Sequence, residues 1–138
     1  MKIGELASRT GLSVHTIRYY ERIGLLPRAH RDRSRHREFD ASILPWIAFL
    51  DRLKTTGMPI RDALRYARLR EQGELTVAER RQLLDSHCET VRRRLAELTA
   101  ALQALDAKIA GYDETMKRIT DNDAASREPA RARKTRAG

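Results

Sequence analysis

The sequence predicts a mainly α-helical protein in which a small N-terminal domain of short helices precedes one long helix. Three observations predict this fold class. Short apolar repeats separated by glycine fill residues 3–75, a strongly basic segment interrupts them at residues 28–39, and a heptad pattern follows at residues 84–119. The first two patterns are typical of a winged helix-turn-helix, and the third is typical of a coiled coil.

The helix-turn-helix is predicted at about residues 3–23. Apolar side chains repeat at helical spacing from the start of this segment, and Gly11 can adopt the positive φ of a tight turn. Ser13 is a good N-cap for the second helix, and Gly24 ends that helix. Two short helices joined by a glycine turn make up the helix-turn-helix plan.

The basic segment, residues 28–39, predicts a β-hairpin. It contains no apolar side chain between Ala29 and Phe39, and arginine occupies every second position from 31 to 37. In a strand, this period of two would place the arginines on one side. So much positive charge would repel itself, and DNA phosphates would relieve the repulsion. A disordered basic loop is the alternative interpretation.

Two further helices are predicted between residues 42 and 73. The third carries two apolar stripes, which is more than a small core needs, so the second stripe could face another element or a partner chain. That second stripe consists of Trp46, Phe49 and Leu53. The fourth helix begins after Pro59, with Ile60 facing inward and several arginines, among them Arg61, on its opposite side.

The longest helix is predicted from a capping-box pattern at Thr76 to about residue 121. Its apolar positions step alternately by four and three residues over five heptads. They are Leu84, Cys88, Val91, Leu95, Leu98, Leu102, Leu105, Ile109, Tyr112, Met116 and Ile119. At 1.5 Å per residue this seam is roughly 50 Å long, and no second long helix in the sequence could cover it. Residues 76–121 are therefore expected to form a dimerisation helix.

Charge and composition favour a polyanionic partner. The formal net charge is +9, and the excess lies in residues 1–76 and 124–138, whereas the long helix is nearly balanced. A basic domain joined to a neutral one suggests nucleic acid, with a charge that only aids solubility as the alternative. Residues 122–138 are expected to form a disordered basic tail. No apolar run could span a membrane or serve as a signal peptide, which predicts a cytoplasmic protein.

Neither an enzyme nor a cofactor or metal site is predicted. The sequence offers no Ser/His/Asp set, no phosphate-binding glycine loop and no carboxylate pair in a plausible cleft. Cys88 is the only cysteine, which excludes an internal disulfide and a multi-thiolate metal site. At a seam position its thiol is expected to pack as a small hydrophobe, and a thiol sensor is the alternative.

The N-terminal part of the chain, which we call the head, resembles the DNA-binding head of the MerR family of bacterial regulators. The resemblance covers roughly residues 1–70 and rests on IGELA at residues 3–7, GLSVHTIRYYE at residues 11–21 and GLL at residues 24–26. The family wing usually reads GYRxY, whereas residues 35–39 read RHREF. Arg37 is kept, but arginine replaces the glycine at position 35, so the wing turn is expected to differ.

The resemblance implies a winged helix-turn-helix DNA-binding domain over residues 1–75 and a long helix that pairs with its copy as an antiparallel coiled coil. The first turn of a recognition helix enters the major groove. The residues placed at the DNA are Ser13, His15, Thr16, Arg18 and Tyr19 on the second helix, His36 and Arg37 on the wing, and Arg61 on the fourth helix. Tyr20 is expected to pack inward.

The implied partners are double-stranded promoter DNA with a pseudo-palindromic operator, a second copy of the chain, and RNA polymerase at the promoter. Family likeness also implies that an effector makes the dimer distort the promoter spacer. An effector-independent repressor or architectural protein is the alternative. A pocket for that effector is one interpretation of the aromatic residues, and plain packing is the other. The residues concerned are Trp46, Phe49, Leu53, Tyr66 and Tyr112.

Overall fold

The computed structural model describes the backbone of residues 1–137 and the side chains of residues 1–36 and 38–126. Within this part of the chain, five α-helices and one two-stranded hairpin follow each other. They are α1 (Ile3–Thr10), α2 (Val14–Ile23), β1 (His30–Arg31), β2 (Arg37–Glu38), α3 (Ile43–Thr55), α4 (Ile60–Glu71) and α5 (Val77–Ala137). The chain divides into two compact units, Met1–Arg92 and a second unit that begins at Arg93.

The first two helices form the predicted helix-turn-helix. Gly11 follows α1 with φ at +74°, and its N–H donates to the carbonyl of Ala7. The Ser13 hydroxyl oxygen accepts a hydrogen bond from the backbone N–H of Thr16 at 3.0 Å, which satisfies one of the free donors at the start of α2. Gly24 ends α2 with φ at +89°. The roles expected of these two glycines and of Ser13 are confirmed.

One apolar core holds the first unit together. Leu6 of α1 and Ile17 of α2 are completely buried, and both stripes of α3 contribute to the same core. Trp46 and Leu53, from the second stripe, are each only 5% exposed. The indole Nε1 of Trp46 donates to the carbonyl of Leu25 at 3.0 Å, so its burial costs no hydrogen bond. Most of the second stripe therefore faces another element of the same head.

The basic segment folds as the predicted hairpin. β1 and β2 pair antiparallel, with His30 opposite Glu38 and Arg31 opposite Arg37. Each strand is only two residues long. The alternating arginines between the strands consequently lie in the turn rather than along one face of a long strand.

The wing turn contains one strained residue. Arg35 has φ at +61°, in the left-handed region that glycine adopts readily and other residues rarely do. This is the position where the family resemblance places a glycine. The Asp32 carboxylate Oδ1 holds the turn, because it accepts hydrogen bonds from the backbone N–H groups of Ser34 and His36 at 2.9 Å each.

Two details of the helix starts differ from the prediction. The capping box at Thr76 does not form: this buried hydroxyl donates to the carbonyls of Leu69 and Gly73, and a 3-10 turn at Gly73–Thr76 leads directly into α5. Ile60 is 51% exposed rather than inward, because it occupies the first turn of α4, ahead of the buried Ala63.

The long helix begins at Val77, next to the predicted domain boundary, and the packing of the first unit continues along it to Arg92. Leu83 and Leu84 pack against the core of the head. The backbone helix continues past residue 121, through a segment rich in the good helix formers alanine and arginine. The predicted tail, residues 122–138, belongs to this helix in its backbone as far as Ala137, and its side chains from residue 127 onward lie outside the described residues. No helix in the described part is both long and apolar enough to cross a membrane.

Candidate nucleic-acid interface

The outer face of α2 carries polar side chains, whereas its inner face is buried. His15, Arg18 and Tyr19 are exposed on this helix, and Ile17 on the opposite face is completely buried. Tyr20 is half-buried and packs against the core, as expected. The periodicity of 3.6 residues thus separates a packing face from a face that is free for a ligand.

A local hydrogen-bond network holds the first turn of α2 in place. Besides capping the helix, the Ser13 hydroxyl donates to the hydroxyl oxygen of Thr16 at 2.9 Å. Both hydrogen-bonding functions of Ser13 are thereby used within the protein. The hydroxyl hydrogen of Thr16 remains able to donate to a phosphate or a base edge. Ser13 therefore positions this turn, while Thr16 can contact a ligand directly.

A strongly basic cleft lies between α2 and the wing. Its volume is about 510 Å³. We call it the basic cleft; its lining residues are Arg18, Glu21, Arg22, Arg28, Ala29 and Arg31. Glu21 accepts a hydrogen bond from the backbone N–H of Ala29 at 3.1 Å, which ties the segment after α2 to the helix. Among the described residues, four guanidinium groups and one carboxylate line this cleft. This excess of positive charge makes the cleft attractive to an anion, above all to phosphate, which arginine can bind through two parallel hydrogen bonds.

Three arginines of the basic cleft are absent from the predicted DNA contacts: Arg22, Arg28 and Arg31. The charge of the basic segment signals Arg28 and Arg31 in the sequence, but only the packing of the segment after α2 brings them beside Arg18. Arg22 follows Arg18 by one helical turn, and its guanidinium carbon lies 5.5 Å from the centre of the Tyr19 ring. The i,i+4 spacing of Arg18 and Arg22 on α2 is the sequence signal that could have identified Arg22 as a DNA contact.

An acidic pair fixes the wing through Lys2. The Lys2 ammonium forms ion pairs with Asp32 in the wing turn and with Oε2 of Glu38 on β2, the latter at 2.8 Å. The hydrogen bond from Lys2, together with the backbone N–H of His36, lowers the pKa of Asp32 to about 2. The same lysine lowers the pKa of Glu38. These contacts join residues 30 or more apart in sequence, and the sequence analysis did not identify them.

Two more of the predicted contacts, His36 and Arg61, lie outside the lining of the basic cleft. His36 is exposed in the wing turn, and Arg61 is exposed on α4. The side chain of Arg37 lies outside the described residues. Their role at DNA stays a prediction.

The aromatic residues proposed for an effector pocket pack against one another in the head. The ring of Trp46 stacks on that of Tyr66 at 5.9 Å, and Phe49 lies 5.2 Å from the same tyrosine. The guanidinium of Arg70 covers the Trp46 ring at 4.4 Å. Buried Leu53 belongs to the same core, whereas Tyr112 lies in the second unit. These contacts are those of packed side chains in the head.

Cys88 is exposed on α5, beside a contact that ties the helix to the head. Nε2 of His87 lies 2.7 Å from the hydroxyl oxygen of Thr56, which follows α3. Within the described residues, His, Cys, Asp and Glu side chains form no group of three that could hold a metal ion.

Comparisons with known proteins identify the family. The model for MerR family regulatory proteins matches residues 2–39. A relative from Haemophilus influenzae, described as an uncharacterized HTH-type transcriptional regulator, is 36% identical over 108 residues, covering 78% of this chain and 80% of the relative. The crystal structure of a protein assigned to the MerR family from Listeria monocytogenes has a TM-score of 0.81 and 35% identity, covering 90% of this chain and 97% of that one.

A further solved structure is that of HiNmlR, described as a MerR family regulator lacking the sensor domain, bound to promoter DNA. It has a TM-score of 0.72 and 34% identity, covering 82% of this chain and 90% of that one. The similarity thus includes the long helix as well as the head. The chain belongs to the MerR family of transcriptional regulators.

Proposed function

We propose that this regulator binds double-stranded promoter DNA through the basic cleft and the first turn of α2. The observation that carries the proposal is the convergence of arginines from α2 and from the wing around one cleft. DNA offers the regularly spaced phosphates that this charge requires. HiNmlR, at 34% identity, is bound to promoter DNA, which supports the same partner here. Promoter DNA as a partner also favours a cytoplasmic location.

The individual contacts follow from chemistry and position. Arg18 can bind guanine through two hydrogen bonds or clamp a phosphate. His15 and Tyr19 are exposed on α2 like Arg18, and Thr16 is half-buried in its first turn; all three can donate to base edges or to the DNA backbone. From the wing, His36 and Arg37 would bind phosphate, and Arg61 would add a phosphate contact from α4. Ser13 acts by capping the helix.

The active form in this proposal is a homodimer. The seam residues Leu95 to Ile119 are each 57–64% exposed within a single chain. Such an extended apolar ladder is covered most simply by the same ladder of a second copy, and the family resemblance favours an antiparallel coiled coil. Two linked heads would read two half-sites, so the operator is expected to be pseudo-palindromic.

Regulation would act on the shape of the promoter. In this proposal an effector shifts the dimer toward a conformation that bends and untwists the spacer, so that RNA polymerase can engage both promoter elements. Bending a DNA site of about 20–30 base pairs by about 40–90° costs about 1–6 kcal/mol. The phosphate contacts of two heads can offset this cost. An effector can only shift this equilibrium by the difference of its affinities for the two conformations.

The DNA-binding part is tested by fluorescence anisotropy with a labelled duplex taken from upstream of the protein's own gene. Arg28→Glu replaces a cation of the basic cleft with an anion. Arg52→Glu makes the same reversal of charge at an exposed position on α3 outside the cleft. We expect Arg28→Glu to weaken binding about tenfold or more and to flatten its salt dependence. Equal losses for both variants would contradict a localised interface.

Effector dependence is tested by transcription in vitro from the same promoter, with and without extract of the source cells. The proposal predicts that a component of the extract changes the transcript level at constant occupancy of the operator. If occupancy is complete and extract changes nothing, the protein acts without an effector.

A further inference from the structure

We propose that a cleft between α1, α2 and α3 binds a small amphipathic anion, a molecule with an apolar body and one carboxylate. The cleft has a volume of about 580 Å³, which lies in the range of small-molecule sites. We call it the apolar cleft. It lies within the first unit, and its described lining includes none of the aromatic residues predicted for an effector pocket. The site stands on its own residues, whereas the claim that its occupant is the effector rests on the proposed function.

Most of the lining of the apolar cleft is hydrocarbon. Its apolar and aromatic side chains come from the turn after α1, from α2 and from α3: Leu12, Tyr20, Leu44, Ile47, Ala48 and Leu50. Ile47 and Leu50 are each only 6% exposed. The hydroxyl of Thr10, also in the lining, donates to the carbonyl of Leu6 at 2.7 Å and accepts from the N–H of Leu12 at 3.3 Å, so it needs no ligand. These walls favour an apolar ligand body over a sugar or a phosphate.

Two cations and one carboxylate complete the lining. They are Arg9 at the end of α1 and Asp51 and Lys54 on α3, and all three are exposed. Lys54 forms no ion pair among the described residues. Arg9 has an exposed contact with Glu5 at 3.6 Å, and pairs of this kind contribute little to stability. The excess of positive charge favours a ligand with a single carboxylate over a neutral or cationic one.

Tyr20 links the apolar cleft to the exposed face of α2. This half-buried side chain lines the cleft, and its ring lies 6.1 Å from that of Tyr19, which is exposed on the same helix. An occupant in contact with Tyr20 therefore touches the helix that carries the proposed DNA contacts. If the occupant binds one orientation of α2 more tightly, it changes the operator affinity, and the operator changes the affinity for the occupant by the same factor.

Three probes with the same naphthyl body test the site and the ligand class: naphthylacetate, the neutral naphthylethanol and the cationic naphthylethylamine. Binding is measured by NMR titration of the whole chain without DNA. We expect naphthylacetate to bind about tenfold more tightly than the amine, with the alcohol between them. The naphthyl protons should give nuclear Overhauser contacts to the methyl groups of Leu12 and Leu44.

Two results of this titration would contradict the proposal. Contacts to leucines of the α5 seam instead, such as Leu98 and Leu102, or no saturable binding of any probe, would overturn the site. An affinity order that does not follow the charge of the probes would overturn the ligand class.

A blocking variant tests the location without relying on the charge. Ala48→Trp places an indole in the cleft from an exposed position on α3, and Ala78→Trp adds the same indole at an exposed position on α5 outside it. We expect Ala48→Trp to weaken naphthylacetate binding about tenfold or more and Ala78→Trp to leave it unchanged, with unchanged circular dichroism for both. Equal losses for the two variants would place the probe elsewhere.

A charge variant tests the carboxylate contact and does not depend on the folding of the blocking variant. Lys54→Gln should weaken naphthylacetate binding about threefold and leave naphthylethanol binding unchanged. Arg52→Gln, the same exchange for a cation on α3 outside the cleft, should affect neither probe. An equal loss for both probes in Lys54→Gln would refute the carboxylate contact.

The effector role is tested by fluorescence anisotropy of the operator duplex with saturating naphthylacetate. We expect the probe to change the operator affinity of the unmodified protein about fivefold or more and to leave that of Ala48→Trp unchanged. A probe that contacts Leu12 and Leu44 without changing operator affinity would refute the effector role and leave the site standing. A protein that does not bind the duplex at all would refute the proposed function, and the NMR titration would still decide the site.

Discussion

Replacement of Arg18 by alanine is expected to weaken operator binding strongly and leave the fold intact. Arg18 lies on the exposed face of α2 and lines the basic cleft. It forms no ion pair among the described residues, so its removal orphans no partner there. The buried face of the same helix, centred on Ile17, is untouched by the change.

The expected loss of operator affinity depends on the kind of contact that Arg18 makes. A bidentate contact between arginine and guanine contributes about 1–3 kcal/mol of discrimination, which corresponds to roughly 5- to 150-fold in affinity for each head. A dimer loses the contact twice. If Arg18 instead clamps a phosphate, the logarithmic salt dependence should fall by about 0.9 for each head. The salt slope therefore separates the two roles.

The assay is fluorescence anisotropy with the operator duplex at several salt concentrations, with Arg52→Ala as a matched control on α3. Circular dichroism and sedimentation should show an unchanged helix content and an unchanged dimer for both variants. An operator affinity for Arg18→Ala within about twofold of that of the control would show that α2 does not read the DNA.

Three further predictions concern the elements that position this interface. Ser13→Ala should lower the unfolding free energy by about 1 kcal/mol through loss of the N-cap, whereas Ser8→Ala on the exposed side of α1 should have little effect in the same urea titration. Arg35→Gly should be more stable than Arg35→Ala by about 0.5–1 kcal/mol, because alanine keeps a Cβ at positive φ; equal unfolding midpoints would refute strain in the wing turn. NMR titration should give Asp32 a pKa of about 2, and Lys2→Met should move it back toward 3.8. Because folding lowers this pKa, the carboxylate stabilises the wing above about pH 4 and the contribution is lost as pH falls through 2; an unchanged pKa in the variant would exclude Lys2 as the cause.

Local signals made the head predictable. Gly11, Ser13 and Gly24 act through backbone geometry within a few residues, and the structure assigns them the expected roles. The position of the wing hairpin was predicted from a two-residue period of arginines, although most of that run lies in the turn between two short strands. The long helix α5 was predicted from its heptad spacing. In each case the information lies in adjacent turns or alternate residues of one element.

The features that could not be predicted from the sequence depend on contacts between residues that are far apart along the chain. The pairing of Lys2 with Asp32 and Glu38 depends on where the N-terminus packs, and no local pattern encodes that position. The basic cleft likewise depends on the packing of the segment after α2. Thr76 shows the opposite failure: its local pattern fits a capping box, but burial directs its hydroxyl to the carbonyl of Leu69. Tertiary hydrogen bonding overrode a local signal there.

The composition of the protein–DNA complex tests the central claim most directly. Sedimentation equilibrium of the protein with a short operator duplex at low salt measures how many chains bind each duplex. The proposed arrangement predicts two chains on one duplex, both in contact with DNA. A complex with a single chain per duplex, or no complex in dilute salt, would contradict the claim that an apolar seam holds two cationic heads on the operator.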